Sequence, residues 1–276
     1  MVVKVGVVKC GAIATSAMVD LLLDERADRK DISTRVVGSG AKMGPEEAEE
    51  AVNKILEFDP DIVIYVGPNP TVAGPKKARE LLSKSGKPSL IIGDAPGVKA
   101  KEEMEKEGLG YLLIRADSMI GARREFLDPS EMAIFNGDLI KVLACTGAFN
   151  IVVEAIDGMI EAVKEGRGVE LPRIVVTRDK AVEAANFSNP YAKTKAMAAY
   201  EIATKVADLD VEGCFVVQDP NKYIPIVSAG HEMLRIASKL AEEAREIEKY
   251  GDTLFRRPHL PEGKLVQKTE LMKKPE

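Results

Sequence analysis

The chain has 276 residues, 45% of them hydrophobic and 30% charged, with a formal net charge of -5. That composition belongs to a folded chain with a substantial core and excludes intrinsic disorder. Acidic and basic residues are spread along the whole length without a basic segment, so no nucleic-acid partner is expected.

The N-terminal part alternates between β-branched runs and amphipathic stretches. Residues 2–8 read as a strand, 12–23 as a helix, 34–37 as a short strand and 45–58 as a helix with Pro45 at its start and Glu46 and Glu47 in its first turn. The strongest strand signal is residues 61–66. A helix over 75–83, a strand over 89–92, a charged helix over 99–107 and a fifth strand over 110–114 follow. Continuous apolar strands separated by helices predict a parallel sheet covered on both faces, an α/β Rossmann-like doubly wound architecture.

Near residue 125 the texture changes. Asp128, Pro129 and Glu131 supply an N-cap, a Pro at N1 and an acid at N3, a strong helix start. Apolar residues at i, i+3 and i+4 predict a helix over 152–163. Residues 172–177 are open between a strand and a buried connection. Residues 179–206 read as helical with a break around 187–190, residues 214–217 as a short strand and 224–250 as a long helix. The tail, with Pro258 and Pro261, reads as a small hairpin. Its apolar residues Leu254, Phe255, Leu260, Leu265 and Val266 are expected to be covered at a subunit contact. The chain thus divides into an α/β part, residues 1–125, and a mainly helical part, residues 126–276, ending in a short β segment.

Cys10, Cys145 and Cys214 form no CxxC pair, and the histidines are His231 and His259 alone. Zinc fingers and iron–sulfur sites are thereby removed, and histidine-based catalysis is poorly supplied. A reducing, cytoplasmic setting fits these cysteines. No run of ~18 apolar residues marks a membrane span, and the first residues carry no signal-peptide pattern.

In a doubly wound sheet ligands sit outside the carboxyl ends of the strands, so the strand-end loops are the first candidates. The turn after the first strand holds only Gly6 and Gly11, five apart, and is not GxGxxG. Here a ligand contact by Gly11, Ala12 and Thr15 competes with a plain βα turn. Residues 67–77 (GPNPTVAGPKK) form a loop stiffened by three prolines. Gly67, Pro68 and Asn69 are candidate contacts, and Lys76 and Lys77 fall in the first turn of the expected helix, where a bound anion would offset their opposition to the helix dipole. Water-exposed lysines are the competing reading. Asp94 and Asp117 each stand just beyond a buried strand, Asp117 two residues after Arg115. Each is either a carboxylate at a ligand crevice or an Asx cap. Glu154 and Asp138 are next in line.

Residues 5–11 (VGVVKCG), 61–70 (DIVIYVGPNP), 92–96 (IGDAP), 116–129 (ADSMIGARREFLDP) and 220–223 (PNKY) together resemble the coenzyme F420-dependent methylenetetrahydromethanopterin dehydrogenases of archaea, and the likeness runs over essentially the whole chain. The resemblance implies reversible hydride transfer from methylenetetrahydromethanopterin to coenzyme F420 in one-carbon metabolism and methanogenesis. It implies an 8-hydroxy-5-deazaflavin acting as a dissociable cosubstrate, no metal, no flavin, and a homo-oligomer, a hexamer built from dimers. On that reading Asp94 or Asp117 stabilises the methenyl cation, and Gly11, Ala12, Thr15, Gly67, Pro68, Asn69, Lys76, Lys77 and Arg115 hold the coenzyme. The residues alone also admit a nicotinamide-dependent dehydrogenase with an atypical phosphate loop, or a non-catalytic ligand-binding module.

Overall fold

The computed structural model describes residues 1–23, 28–120, 123 and 126–276. Six strands, β1 (Val3–Lys9), β2 (Ile32–Gly38), β3 (Ile62–Val66), β4 (Ser89–Gly93), β5 (Gly110–Ile114) and β6 (Arg173–Val176), form one sheet in the order β2-β1-β3-β4-β5-β6. The first five are joined by parallel pairings. The Tyr111 N–H donates to the Pro172 carbonyl and the Arg115 N–H to the Val176 carbonyl, an equal advance along both chains, so β6 runs the same way as β5. Every residue of β3, β4 and β5 is buried, as their unbroken apolar runs require. The edge strand β2 is half exposed and correspondingly more polar.

The crossover helices are α1 (Ala14–Leu23), α2 (Pro45–Leu56), α3 (Ala73–Ser85) and, after a 3-10 turn at Ala95–Ala100, α4 (Lys101–Lys106). In α2, Ala48, Ala51, Val52 and Ile55 repeat at helical spacing and are the residues it buries. The α3 helix starts two residues before the expected Pro75, so Lys76 and Lys77 stand beyond its first three positions. Later helices are α5 (Pro129–Thr146), α6 (Ala148–Lys164), α7 (Arg178–Ala184), α8 (Pro190–Val211) and α9 (Pro220–Tyr250). The Asp128 carboxylate accepts from the Glu131 N–H at 2.7 Å, the cap that its sequence predicts. Among the described residues no single helix is long and apolar enough to cross a membrane.

Residues 214–217 are not a strand. They belong to a π-helical turn, Glu212–Val216, that prolongs α8. The Val217 N–H returns to the Glu212 carbonyl at 2.9 Å, and Phe215 and Val216 stay exposed with no strand beside them. The tail does form antiparallel bridges, Arg256 with Lys268 and His259 with Leu265.

The chain divides into two compact units, and the division is discontinuous. The first is Met1–Ile114, Val152–Val175 and Pro258–Val266; the second is Arg115–Ile151, Val176–Arg257 and Gln267–Glu276. The boundary expected after residue 125 lies outside the described residues, ten residues past the first crossing at Arg115. The chain then re-enters the first unit twice, to supply most of α6, β6 and a tail strap.

Of the tail's apolar residues Leu254 and Val266 are buried within the chain, while Phe255, Leu260 and Leu265 stay partly exposed. In the first unit, His259 is buried and its Nε2 lies 2.7 Å from the Asp157 carboxylate of α6. The Arg29 guanidinium lies 3.5 Å from the other Asp157 oxygen and forks onto Asp31 at 2.9 and 3.1 Å. Lys164 reaches both Asp31, at 3.6 Å, and the Glu262 carbonyl, at 3.1 Å. Burial alone would raise the Asp31 carboxyl, but the Arg29 hydrogen bonds and charge, with Lys164, hold it below its ordinary value. Removing one member of a buried ion cluster strands the others, so Asp157→Ala is expected to cost ~3–5 kcal/mol of stability. Urea unfolding measures it; an unchanged midpoint would show that the strap does not depend on this carboxylate.

In the second unit Asp210 of α8 is buried against Gly230 of α9, where a Cβ would lie 3.2 Å from Asp210 Oδ1. Neither carboxylate oxygen has a hydrogen-bond partner. Burial pushes its pKa up to about 8. Below the unfolded carboxyl value of about 4 both states are protonated. Between there and pH 8 only the folded state keeps the proton, so this group's contribution to stability is lost as pH rises through that window. Asp210→Asn keeps the shape and removes the titration. Its stability relative to the parent chain should therefore improve from pH 5 to pH 8, by up to ~4 kcal/mol at ~1.4 kcal/mol per unit. A pH-independent difference would contradict a neutral Asp210.

Candidate functional site

With β2 on one side of β1 and β3 on the other, the strand order reverses between β1 and β3. In open parallel sheets this reversal opens a crevice at the carboxyl ends. The loop after β1 enters with Cys10 buried and Gly11 at φ +78°. A Cβ on Gly11 would stand 2.6 Å from Met43 Sδ and 2.9 Å from Pro68 Cδ, and the Gly11 N–H is spent on the Gly40 carbonyl at 2.9 Å. Gly11 is therefore required by both its backbone angle and its close neighbours, and its N–H is not free to meet a phosphate. Burial raises the Cys10 thiol against the lowering effect of Ser39 and Tyr65, so it is a packing group and not a ready thiolate. Ala12 is exposed, whereas Thr15 is completely buried.

The loop after β3 is locked to its neighbours. Gly67 admits no Cβ, which would run into the Cys10 carbonyl. Gly67 and Pro68 are buried. Asn69, at φ +43°, donates its N–H to Asp94 Oδ1 at 2.7 Å, and its side-chain oxygen accepts from the Thr71 N–H and hydroxyl at 3.3 and 2.5 Å. Asp94 is 5% exposed and precedes the 3-10 turn, but the structure gives it no side-chain cap bond to that turn. Its carboxylate clamps the β4 loop to the β3 loop, a role that neither a bare ligand contact nor an Asx cap describes.

Lys76 and Lys77 each already meet a carboxylate of a neighbouring helix. Lys76 pairs with Glu103 of α4 at 3.1 Å and Lys77 with Glu49 of α2 at 3.3 Å. Because α3 begins at Ala73, both lysines lie along its flank, where neighbouring helices supply carboxylates. The wholly buried Arg79 joins the same cluster, 2.8 Å from Glu103 and 3.5 Å from Glu107.

In the second unit the segment after β5 places Arg115 in solvent and buries Ala116, Asp117 and Ser118. Ser118 Oγ is buried without a hydrogen-bond partner among the described residues. Tyr200 of α8 is buried and donates its hydroxyl to the Val176 carbonyl at 2.6 Å. Burial drives the Tyr200 pKa up, and the Asp117 charge adds to the rise. Arg123 donates to the Gly213 and Val217 carbonyls at 3.0 and 2.9 Å and lies 4.0 Å from the Tyr223 ring centre, pinning the π-helical turn and the start of α9. His231 sits between Phe126 and Phe135 with Nδ1 2.8 Å from Glu131. Thr177, Tyr200 and Arg123 carry no local motif that marks them in the sequence; for Thr177 the one signal is an apolar run ending in Thr-Arg-Asp, which is a strand end only once β6 is known to pair with β5.

Among the described residues no group of three or more His, Cys, Asp or Glu is placed to hold a metal ion. A cavity of 750 Å³ in the first unit lies beside residues 167–174, which lead into β6, and is not formed by the strand-end loops.

The sequence profile of methylene-5,6,7,8-tetrahydromethanopterin dehydrogenase matches residues 3–276. Relatives named F420-dependent methylenetetrahydromethanopterin dehydrogenase, from Methanocaldococcus jannaschii and Archaeoglobus fulgidus, are each 64% identical, with both chains covered in full. A solved F420-dependent methylene-tetrahydromethanopterin dehydrogenase, in complex with methylene-tetrahydromethanopterin and coenzyme F420, is 55% identical and superposes with a TM-score of 0.97 over 100% of both chains. The chain belongs to the methylene-5,6,7,8-tetrahydromethanopterin dehydrogenase family.

Proposed function

We propose that the chain transfers a hydride reversibly between methylenetetrahydromethanopterin and coenzyme F420, giving methenyltetrahydromethanopterin and the reduced coenzyme. The observation that carries this is the full-length match, in sequence and in fold, to the enzyme solved with both molecules bound. The residues at the strand ends fit such a coenzyme. The β1 turn lacks the three-glycine pattern of a dinucleotide site, and the buried Ser118 hydroxyl has no hydrogen-bond partner among the described residues. When bound, F420 supplies the electrophilic ring carbon that takes up the hydride.

The chain's own task is positioning and electrostatics. In the first unit, Gly11, Gly67 and Pro68 shape the strand-end loops, Ala12 and Asn69 are the exposed and half-exposed contacts, and Thr15 supports them from beneath. Lys76 and Lys77 act only through their ion pairs. In the second unit Arg115 is the contact. As the hydride leaves, the one-carbon bridge becomes cationic, and a carboxylate gains attraction for it only as that charge grows. We assign this role to Asp94 or Asp117. A homohexamer and a cytoplasmic location complete the reading; light scattering at six chain masses supports the first, and a monomer would refute it.

Mixing the chain with oxidised F420 and methylenetetrahydromethanopterin should bleach the deazaflavin absorbance; silence with F420, or turnover with a nicotinamide instead, overturns the proposal. Asp94→Asn retains an acceptor for the Asn69 N–H and loses only the charge. Asp94→Asn or Asp117→Asn is expected to lower kcat by ~10- to 1000-fold with little change in melting temperature. Normal kcat in both variants would leave Asp94 a loop clamp and Asp117 a buried structural acid.

A further inference from the structure

β5 and β6 are neighbours, and each passes directly into a polar residue that lines a common cavity of 290 Å³ in the second unit: Arg115 after β5, Thr177 and Arg178 after β6. The two arginines differ in what meets their charge. Arg178 is held by Asp179 at 2.8 Å and Glu201 at 3.3 Å, so both lining carboxylates are already engaged. Arg115 is exposed and, among the described residues, has no carboxylate within ion-pair distance. Its backbone N–H is anchored on the Val176 carbonyl at 3.4 Å, and the Tyr200 hydroxyl is committed to the same carbonyl at 2.6 Å. Thr204 spends its hydroxyl proton on the Tyr200 carbonyl at 3.0 Å. Thr177 Oγ1 only accepts, from the Lys180 N–H at 3.5 Å, which leaves its proton to give. The lining is neutral overall, two arginines against two carboxylates, but both carboxylates turn to Arg178, so the planar donor fork of Arg115 stands without a direct ion-pair partner among the described residues, next to one hydroxyl donor.

We propose that Arg115 and Thr177 form a subsite for an oxoanion, a phosphate or carboxylate group on one of the two substrates; this rests on the function proposed above. A guanidinium fork matches both groups with paired hydrogen bonds. At 290 Å³ the cavity falls at the small end of ligand sites and takes a terminal group, not a fused ring system. The location is also the carboxyl edge of the sheet, at its last two strands.

Arg115→Gln removes the charge from an exposed position. It is expected to raise KM for one of the two substrates ~10- to 100-fold, the range for a charged hydrogen-bonding partner, with a much smaller change in kcat. The substrate affected identifies the source of the anion. Arg115→Lys, a point charge without the fork, should recover part of the loss. Inorganic phosphate, used as the probe without turnover, should raise the melting temperature of the parent chain and not that of Arg115→Gln. Unchanged KM for both substrates, or an equal phosphate response in parent and variant, overturns the subsite. If the parent chain fails to reduce F420, the functional reading falls, and the phosphate response still decides the subsite separately.

Discussion

A strand buried on both faces has no side chain to offer a ligand except at its end. In this sheet β3, β4 and β5 are buried at every position, and all six strands run the same way, so their carboxyl ends gather along one edge. That constraint governs the loops. They must turn sharply, satisfy their own backbone and still leave groups exposed. The Gly11 N–H on the Gly40 carbonyl and the Asn69 N–H on the Asp94 carboxylate are how the first unit meets it. An Asp at a strand end thus holds a neighbouring loop through one carboxylate oxygen.

The large features were legible because they depend on local pattern. The apolar run of β3, the Pro45 start of α2, the Asp128 cap of α5 and the break before Pro190 are each decided within a few residues, and the structure has all four. What was not legible depends on partners far away in the chain. Lys76 and Lys77 looked like first-turn cations because their carboxylates, Glu103 and Glu49, lie on other helices. The burial of His259 was not legible because its partner, Asp157, lies 102 residues away. Residues 214–217 looked like a strand because β-branched and aromatic composition describes a preference, while strand formation needs an edge to pair with. The candidate site divides the same way: the strand-end loops could be named in advance, but not which of their charges were already matched.

Two carbons exchanging a hydride need no nucleophile, no metal and no acid–base pair, so the reaction leaves no short motif behind. Burial pushes Cys10, Tyr200 and Asp210 toward their neutral forms, while Asp31 is held charged by Arg29. The value of a charge that stays unpaired then lies in where it stands. Arg178, next to Arg115 in the same cavity, meets two carboxylates, while Arg115 has no ion-pair partner among the described residues. An exposed cation without a partner is cheap to keep in water and costs the fold little. It therefore need not be explained by stability, and its place at the end of a buried strand is the position from which the proposed subsite would meet an anionic group.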